Sequence, residues 1–254
     1  MEGRFTFFGS GASMGIPVIG CSCAVCFSNS PLNKRMRSCS LLQVQDKNFL
    51  VDIGPDFRFQ ALQHHITKVD GLILTHTHYD HIAGVDDLRV FAFKPNPPVP
   101  VLLSRETMED LKKRYFYLIE EKAPKLSFQV LTKDMGDIDF LGLKVSYFFY
   151  DQSGMQVTGY RFGDLAFLTD IKNYPVSMFE VLEGCDTFIL SAMGWEKTRA
   201  HISIEEAIEI AEKVKAKRVF LTHIGHELDH EKTNEKLPKF MQLAYDGLSI
   251  TCQL

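Results

Sequence analysis

Three histidines and an aspartate lie within six residues of the sequence, as His76, His78, Asp80 and His81. They directly follow the apolar run 71–74, which predicts a short buried strand that ends in a loop. Because the strand fixes the start of such a loop, the loop can aim several side chains at one point. Imidazole and carboxylate groups bind zinc, and also manganese or iron where oxygen ligands are more numerous. A solvated polar loop is the alternative, but this density of ligands favours a metal site.

Three of the six cysteines, Cys21, Cys23 and Cys26, form a second cluster near the N-terminus. Thiolates at this spacing can converge on one tetrahedral zinc ion, which then needs a fourth ligand from elsewhere. His226 is the best candidate for that ligand. A Cys3His zinc would connect the N-terminal loop to a distant segment and couple folding to metal binding. Reduced free thiols are the alternative interpretation.

Three other candidates stand at the ends of predicted strands or just before a predicted helix: Asp170, His201 and His223. The carboxylate of Asp170 could bind metal or cap the following segment. His201 lies two residues before Ser203, whose spacing to Glu206 matches a capping box at the start of a helix. An imidazole at that place can titrate near neutral pH, which suits a proton donor.

The predicted strands and helices would bring these side chains together. Helices are predicted over 57–66 and 207–215, and a final strand and turn over 241–250. Asp52, at the end of a predicted strand, is either a hydrogen-bond acceptor for a ligand histidine or a surface turn residue. His230, in a charged stretch, is predicted to be solvated. The apolar or alternating segments predict strands over residues 4–8, 40–44, 48–53, 143–150, 162–168, 185–190 and 218–222.

The loop that contains His76 to His81 resembles the HxHxDH loop of the metallo-β-lactamase superfamily of metal-dependent hydrolases. The glycine-rich turn 9–17 and the segment 245–247 resemble its phosphodiesterase branch, in particular the phosphoribosyl 1,2-cyclic phosphate phosphodiesterases. The resemblance implies an α/β (α+β) fold, the αββα sandwich of two mixed sheets flanked by helices. It also implies that residues 1–254 form a single domain.

The resemblance further implies a role for each candidate. His76 and His78 would bind a first catalytic ion, His81 and His223 a second, and Asp170 would bridge the two. Asp80 would bind the second ion and orient the nucleophile, a metal-bound hydroxide, and His201 would protonate the departing oxygen. The ions would be zinc or manganese and the product a phosphomonoester. A structural zinc held by three cysteines and a histidine also belongs to this branch, and the candidate ligands here are Cys21, Cys23, Cys26 and His226.

One ligand departs from the family pattern. Where the family has a histidine that completes the first metal position, an alignment without gaps places Gln152, just after the predicted strand 143–150. An amide oxygen is a weak, neutral ligand compared with imidazole. Asp151 could replace it if the loop turned that carboxylate inward. One or two catalytic ions are therefore expected, and replacing Gln152 by histidine should raise the occupancy of the first position.

Composition limits the partners of the protein. A net charge of -4 argues against an extended nucleic-acid surface, but not against a small phosphodiester held by metals. The sequence has no secretory leader and no apolar stretch approaching about 18 residues, so we expect a cytoplasmic protein without membrane contact. The apolar segment 91–93 could serve a homodimer interface.

Two other interpretations stay open. The first is a hydrolase with an impaired or single-metal site that acts on another ester. The second is a non-catalytic metal-binding protein similar to the pyrroloquinoline-quinone-associated branch of the superfamily. His201 favours catalysis, whereas Gln152 counts against a complete pair of metals. On balance the sequence predicts a metal-dependent phosphodiesterase.

Overall fold

The first of two β-sheets contains both the N-terminal and the C-terminal strand. The computed structural model describes residues 1–93, 96–119, 122 and 124–254. Within them the first sheet has seven strands in the order β14-β1-β2-β3-β4-β5-β6, antiparallel from β14 to β3 and parallel from β3 to β6. Their bounds are β1 Glu2–Gly9, β2 Cys39–Val44, β3 Lys47–Ile53, β4 Gly71–Ile73, β5 Val99–Ser104, β6 Leu126–Leu131 and β14 Ser249–Gln253.

The second sheet also has seven described strands, in the order β13-β12-β11-β10-β9-β8-β7. Pairing is antiparallel from β7 to β10 and parallel from β10 to β13, so both sheets are mixed. The bounds are β7 Met135–Phe140, β8 Leu143–Gln152, β9 Met155–Phe162, β10 Leu165–Leu168, β11 Thr187–Ser191, β12 Arg218–Thr222 and β13 Met241–Leu243.

Apolar side chains on both faces of each sheet explain the layered arrangement. Between the sheets lies an aromatic core in which the rings of Phe5 and Phe167 are 5.8 Å apart. The opposite faces are covered by helices, which gives the predicted αββα sandwich. The α-helices are α1 Phe57–Gln63, α2 Tyr79–Ile82, α3 Arg105–Arg114, α4 Met178–Leu182, α5 Ile204–Val214 and α6 His230–Asn234, and 3-10 turns span Pro31–Asn33, Val85–Ala92 and Phe116–Leu118.

The capping box predicted before α5 is present, with Ser203 accepting from the backbone of Glu206 and Glu206 accepting from that of Ser203. Buried apolar residues along α5 pack it onto the second sheet, which fixes the segment just before the helix, where His201 lies. The described part of the chain contains no helix that is long and apolar enough to cross a membrane.

Three local predictions were wrong. The segment 162–168 is not one strand, because Gly163, with a φ of +55°, turns the chain between β9 and β10. The segment 241–250 contributes to both sheets, since β13 and β14 are separated by a turn at Gly247. His230 is buried rather than solvated, because its backbone N–H donates to the side chain of Asn33 and its ring packs on Tyr245.

Candidate metal centres

The histidines and aspartates predicted to bind catalytic metal lie together where strand ends of the two sheets meet. His76 to His81 follow β4 of the first sheet, while Asp170 and His223 follow β10 and β12 of the second. Asp170 and His223 have φ angles of +53° and +55°, a region that residues other than glycine seldom adopt. Such backbone strain persists where the surrounding structure holds it, often at functional sites.

One group of ligands combines two carboxylates with two imidazoles. Nε2 of His223 lies 3.1 Å from Oδ2 of Asp80 and 3.5 Å from Oδ1 of Asp170. Nε2 of His81 lies 3.3 Å from the same Asp80 oxygen and 3.1 Å from Oδ2 of Asp170. These four residues, named here the second position, form the donor set expected for zinc or manganese.

A neighbouring group, named here the first position, consists of His76, His78 and Asp170. Nε2 of His76 and Nδ1 of His78 are 3.0 Å apart. Because Asp170 belongs to both groups, its carboxylate is placed to bridge two ions. The structure therefore brings together the catalytic ligands named from the sequence.

The residues around His81 fit a metal ligand. Its Nδ1 faces Oδ2 of Asp52 at 2.7 Å, while its Nε2 is buried and has no hydrogen-bond partner. A carboxylate that accepts a hydrogen bond from Nδ1–H keeps the proton on that nitrogen and leaves the Nε2 lone pair free to bind metal. Asp52 also accepts from the backbone and hydroxyl of Thr75. Of the two interpretations of Asp52, the hydrogen-bond acceptor is the correct one.

The electrostatics of the cluster keep its carboxylates ionised and the ring of His76 neutral. Burial alone would raise the pKa of Asp170, but His223 and His81 hold it well below its usual range. Asp80 behaves alike, because His81 and His223 outweigh its burial and lower its pKa. Burial lowers the pKa of His76 far below its usual range, so that ring is neutral. At His81 and His223 the neighbouring carboxylates outweigh burial and raise the pKa of each ring. Because ionised carboxylates and neutral imidazoles are the forms that bind metal, metal binding would release protons from these two rings.

His201 lines the same cleft, with Nδ1 3.5 Å from Oδ1 of Asp170. Burial lowers its pKa to about 4, so the ring is neutral at pH 7 and offers one N–H. This differs from the near-neutral titration expected from the sequence. The reason is its buried place beside His223, which the sequence does not reveal.

The structure also separates Gln152 from Asp151. Gln152 is buried in the cleft, and its Nε2 donates to Oδ1 of Asp170 at 2.9 Å. The carboxylate of Asp151 instead accepts from Asn173 at 3.0 Å and from the backbone of Gly154 at 2.9 Å. Asp151 is thus turned away from the metal ligands, whereas Gln152 contacts one of them, Asp170.

Threonines before the ligands are functional residues that the sequence reasoning missed. Oγ1 of Thr75 bonds Asp52 and faces Nδ1 of His76 at 2.9 Å, and Oγ1 of Thr169 donates to Oδ2 of Asp170 at 2.7 Å. A repeated signal was available, because Leu-Thr precedes the ligand at His76, Asp170 and His223. The cleft of about 600 Å³ is further lined by Ser13, Tyr79, Ser153, Gly154, Met155 and Ala200.

The three clustered cysteines converge on His226 as predicted. Their Sγ atoms lie 3.4, 3.5 and 3.7 Å from its Nδ1, for Cys21, Cys23 and Cys26 respectively. Backbone N–H groups donate to all three sulfurs, which stabilises thiolates. The N–H of Cys26 and the ring of His226 lower the pKa of Cys23 to about 6. Three thiolates and one imidazole are a fitting tetrahedral donor set for zinc.

Comparison with known proteins agrees with this geometry. The family described as a β-lactamase superfamily domain matches residues 47–224. An octanoyltransferase of Porphyromonas gingivalis (strain ATCC BAA-308 / W83) is 32% identical over 257 residues, which cover 96% of this chain and 51% of the relative. The chain therefore spans about half the length of the curated relative that it matches.

Two solved structures share the fold over almost the whole chain. A diphosphatase from the PhnP family superposes with a TM-score of 0.93 and 37% identity, covering 99% of this chain and 98% of the other. Zinc-bound PqqB from Methylobacterium extorquens superposes with a TM-score of 0.79 and 18% identity, covering 97% and 99% of the two chains. At that identity the second likeness shows the fold alone.

Proposed function

This chain belongs to the metallo-β-lactamase superfamily and is a metal-dependent hydrolase, and on that premise we propose that it cleaves a small linear or cyclic phosphodiester to a phosphomonoester. The observation that carries the proposal is the pair of ligand groups that share Asp170 beside His201 in one cleft. The diphosphatase likeness supports phosphorus-ester chemistry, because it extends over the entire fold at 37% identity. All ligands of the pair would lie in one domain spanning 1–254.

The first position would hold one ion through His76, His78 and Asp170, and the second position would hold another. Zinc and manganese both suit these donors, and the Cys3His cluster suits a structural zinc. When bound, a pair of such ions activates water at neutral pH and draws charge from phosphoryl oxygens.

The side chains of the cleft have the other roles. Asp80, ionised and open to the cleft, would accept a hydrogen bond from the attacking water and orient it. His201 would offer its N–H to the departing oxygen, since its ring faces the same space as Asp170. The cleft of about 600 Å³ matches a small ester, and Asp80, Gln152 and His201 are among the polar side chains that line it.

A second candidate substrate is an octanoyl thioester, which the name of the Porphyromonas gingivalis relative favours. That relative is about twice as long as the matched segment, so its transferase name can refer to the other half. The likeness to the PhnP-family diphosphatase, in contrast, covers 98% of that chain. We therefore rank the phosphorus ester first.

The test is a panel assay with protein loaded with Mn²⁺ or Zn²⁺. The panel contains bis(p-nitrophenyl) phosphate, a cyclic ribose phosphodiester, a dinucleoside diphosphate and an octanoyl thioester. We expect turnover of at least one phosphorus ester, abolished by Asp170→Asn. Turnover of the thioester alone would replace the phosphodiesterase proposal by the second candidate. No turnover of any phosphorus ester, with both positions shown to be filled, would also contradict it.

A further inference from the structure

The amide of Gln152 is a buried polar group of the cleft that the proposed chemistry does not use. The side chain is 4% exposed and lies at the last position of β8. Its Nε2 donates to Asp170, but its Oε1 is buried without a hydrogen-bond partner. Burying an unpaired carbonyl oxygen is unfavourable, so this atom points to a partner that the protein acquires.

The position of the amide identifies that partner. Oδ2 of Asp170 faces His81 and accepts from Thr169, whereas Oδ1 is the oxygen that Gln152 contacts, at 2.9 Å. Gln152 thus contacts the carboxylate that the two positions share. In the sequence, Gln152 aligns with a ligand histidine of the first position in the superfamily that this chain resembles.

We propose that Gln152 binds the first ion through Oε1 after a half-turn of its amide, and that the second position therefore fills before the first. The last torsion of glutamine is broad and roughly two-fold, so the half-turn is easy and exchanges oxygen for nitrogen. Oε1 would then stand about 3 Å from Oδ1 of Asp170. Oxygens on neighbouring corners of an octahedral ion are separated by roughly this distance when metal–oxygen bonds are about 2.1 Å.

The same geometry explains the orientation in which Nε2 of Gln152 faces Asp170. Two oxygens at this separation repel each other unless a cation lies between them, whereas an amide N–H facing a carboxylate is favourable. Gln152 therefore has two stable orientations, and the ion selects between them.

Charge determines the order of filling. The second position offers two carboxylates, Asp80 and Asp170, whereas the first shares only Asp170 and is completed by a neutral amide. Because attraction to a divalent cation grows with each carboxylate, the second position binds more tightly. An oxygen in place of imidazole also shifts the first position from zinc towards harder ions such as Mn²⁺. The inference concerns metal binding, so it holds whichever ester is hydrolysed.

The experiment is a Mn²⁺ titration of the full chain, followed by calorimetry and by the electron paramagnetic resonance signal of coupled ions. The catalytic positions are first emptied with a mild chelator, and elemental analysis confirms that the Cys3His zinc is retained. We expect two binding steps whose dissociation constants differ by about tenfold or more. The coupled signal should grow only in the weaker step.

Three variants test the assignment. Gln152→His should tighten the weaker step by about tenfold and leave the tighter step unchanged. Gln152→Glu, which keeps the shape of the side chain but adds a charge, should have the same effect. It keeps the test valid if the histidine variant folds poorly. Gln156→His, a glutamine of the same hairpin that lines the neighbouring cavity, is the control and should change neither step. Two equal steps in the natural protein, or a weaker step that both Gln152 variants leave unchanged, would overturn the proposal.

Discussion

The two metal-binding clusters are built in opposite ways, although His223 and His226 are only three residues apart. Four of the catalytic ligands, His76, His81, Asp170 and His223, are at most 2% exposed. They lie in segments that begin where strands end. The Cys3His cluster lies at the surface, in a loop whose own apolar core contains Ile16, Val25 and Cys26 as buried members.

The difference separates geometry held by the fold from geometry held by the ion. Around the catalytic ligands, Asp52, Thr75 and Thr169 fix side chains through hydrogen bonds that do not need metal. Around the cysteines, the sulfurs are arranged by backbone N–H groups and by the ring of His226, which is itself a candidate zinc ligand. We therefore expect that removing metal from the first cluster costs chemistry, and that removing it from the second costs structure.

Removing the metals should produce the largest difference between the two clusters. Emptying the catalytic positions should abolish hydrolysis, with full recovery on adding Mn²⁺ or Zn²⁺, because the ligands keep their places. Removing the structural zinc as well should increase hydrogen exchange in residues 18–26, measured by mass spectrometry. Equal protection of that loop with and without zinc would contradict the division.

His201→Ala tests whether the catalytic cluster contains a group that acts without binding metal. We expect kcat to fall by about 10²–10⁴-fold, because the departing oxygen loses its hydrogen-bond donor. Metal content, measured by elemental analysis, should not change. His65→Ala, at an exposed position outside the cleft, is the matched control. Unchanged kcat would remove His201 from the mechanism.

Cys23→Ala tests the other side of the comparison. Losing one of four ligands should release the structural zinc and lower the free energy of unfolding by several kcal/mol. The kcat of the remaining folded protein should change by only a few-fold. Cys185→Ala, which removes a buried thiol just before β11, controls for a lost sulfur. A stable variant that loses only activity would refute the structural role.

Asp52→Asn should have a smaller effect, confined to metal affinity. A neutral amide accepts the hydrogen bond from Nδ1–H of His81 less strongly than a carboxylate does. The ring of His81 is then less well fixed and less basic. Loss of such a partner weakens metal binding by about 10–100-fold. Competition with a fluorescent chelator would measure it, and an unchanged affinity would show that His81 is held by packing alone.

The sequence predicted the ligands better than their surroundings. His76 to His81, Asp170 and His223 were identifiable because their residue types and their places after predicted strands match the pattern of the superfamily that the chain resembles. The burial of His230 was not, because it depends on Asn33 and Tyr245, which are far away in the chain. The choice between Asp151 and Gln152 depends on Asn173, which binds the aspartate from another segment.

Asp246 joins the glycine-rich turn to the segment that follows the cysteines. Its carboxylate accepts from the backbone and hydroxyl of Ser10, in that turn, and from the backbone of Met36. Burial raises its pKa to about 6, and these donors and the charge of Arg35 only partly oppose the rise. The link between these two segments is therefore sensitive to pH.

The direction of that sensitivity follows from proton binding. Between about pH 4 and pH 6 the folded protein keeps a proton on Asp246 that the unfolded chain has released. Stability from this group is thus present below pH 4, falls as pH rises to about 6, and is constant above. Denaturation measures the free energy of unfolding of the natural protein and of Asp246→Asn at each pH. From pH 4 to pH 6 the value for the natural protein should fall by about 1–2 kcal/mol relative to that of the variant.

Asp229→Asn is a control in which the pH dependence of stability should have the opposite sign. The backbone N–H of Lys232 lowers the pKa of Asp229, which caps α6, so its stabilisation is lost as pH falls rather than as it rises. The two differences should therefore change in opposite directions with pH. If Asp246→Asn shows no pH dependence relative to the natural protein, the titration of Asp246 does not contribute to the link between the two segments, and packing alone joins them.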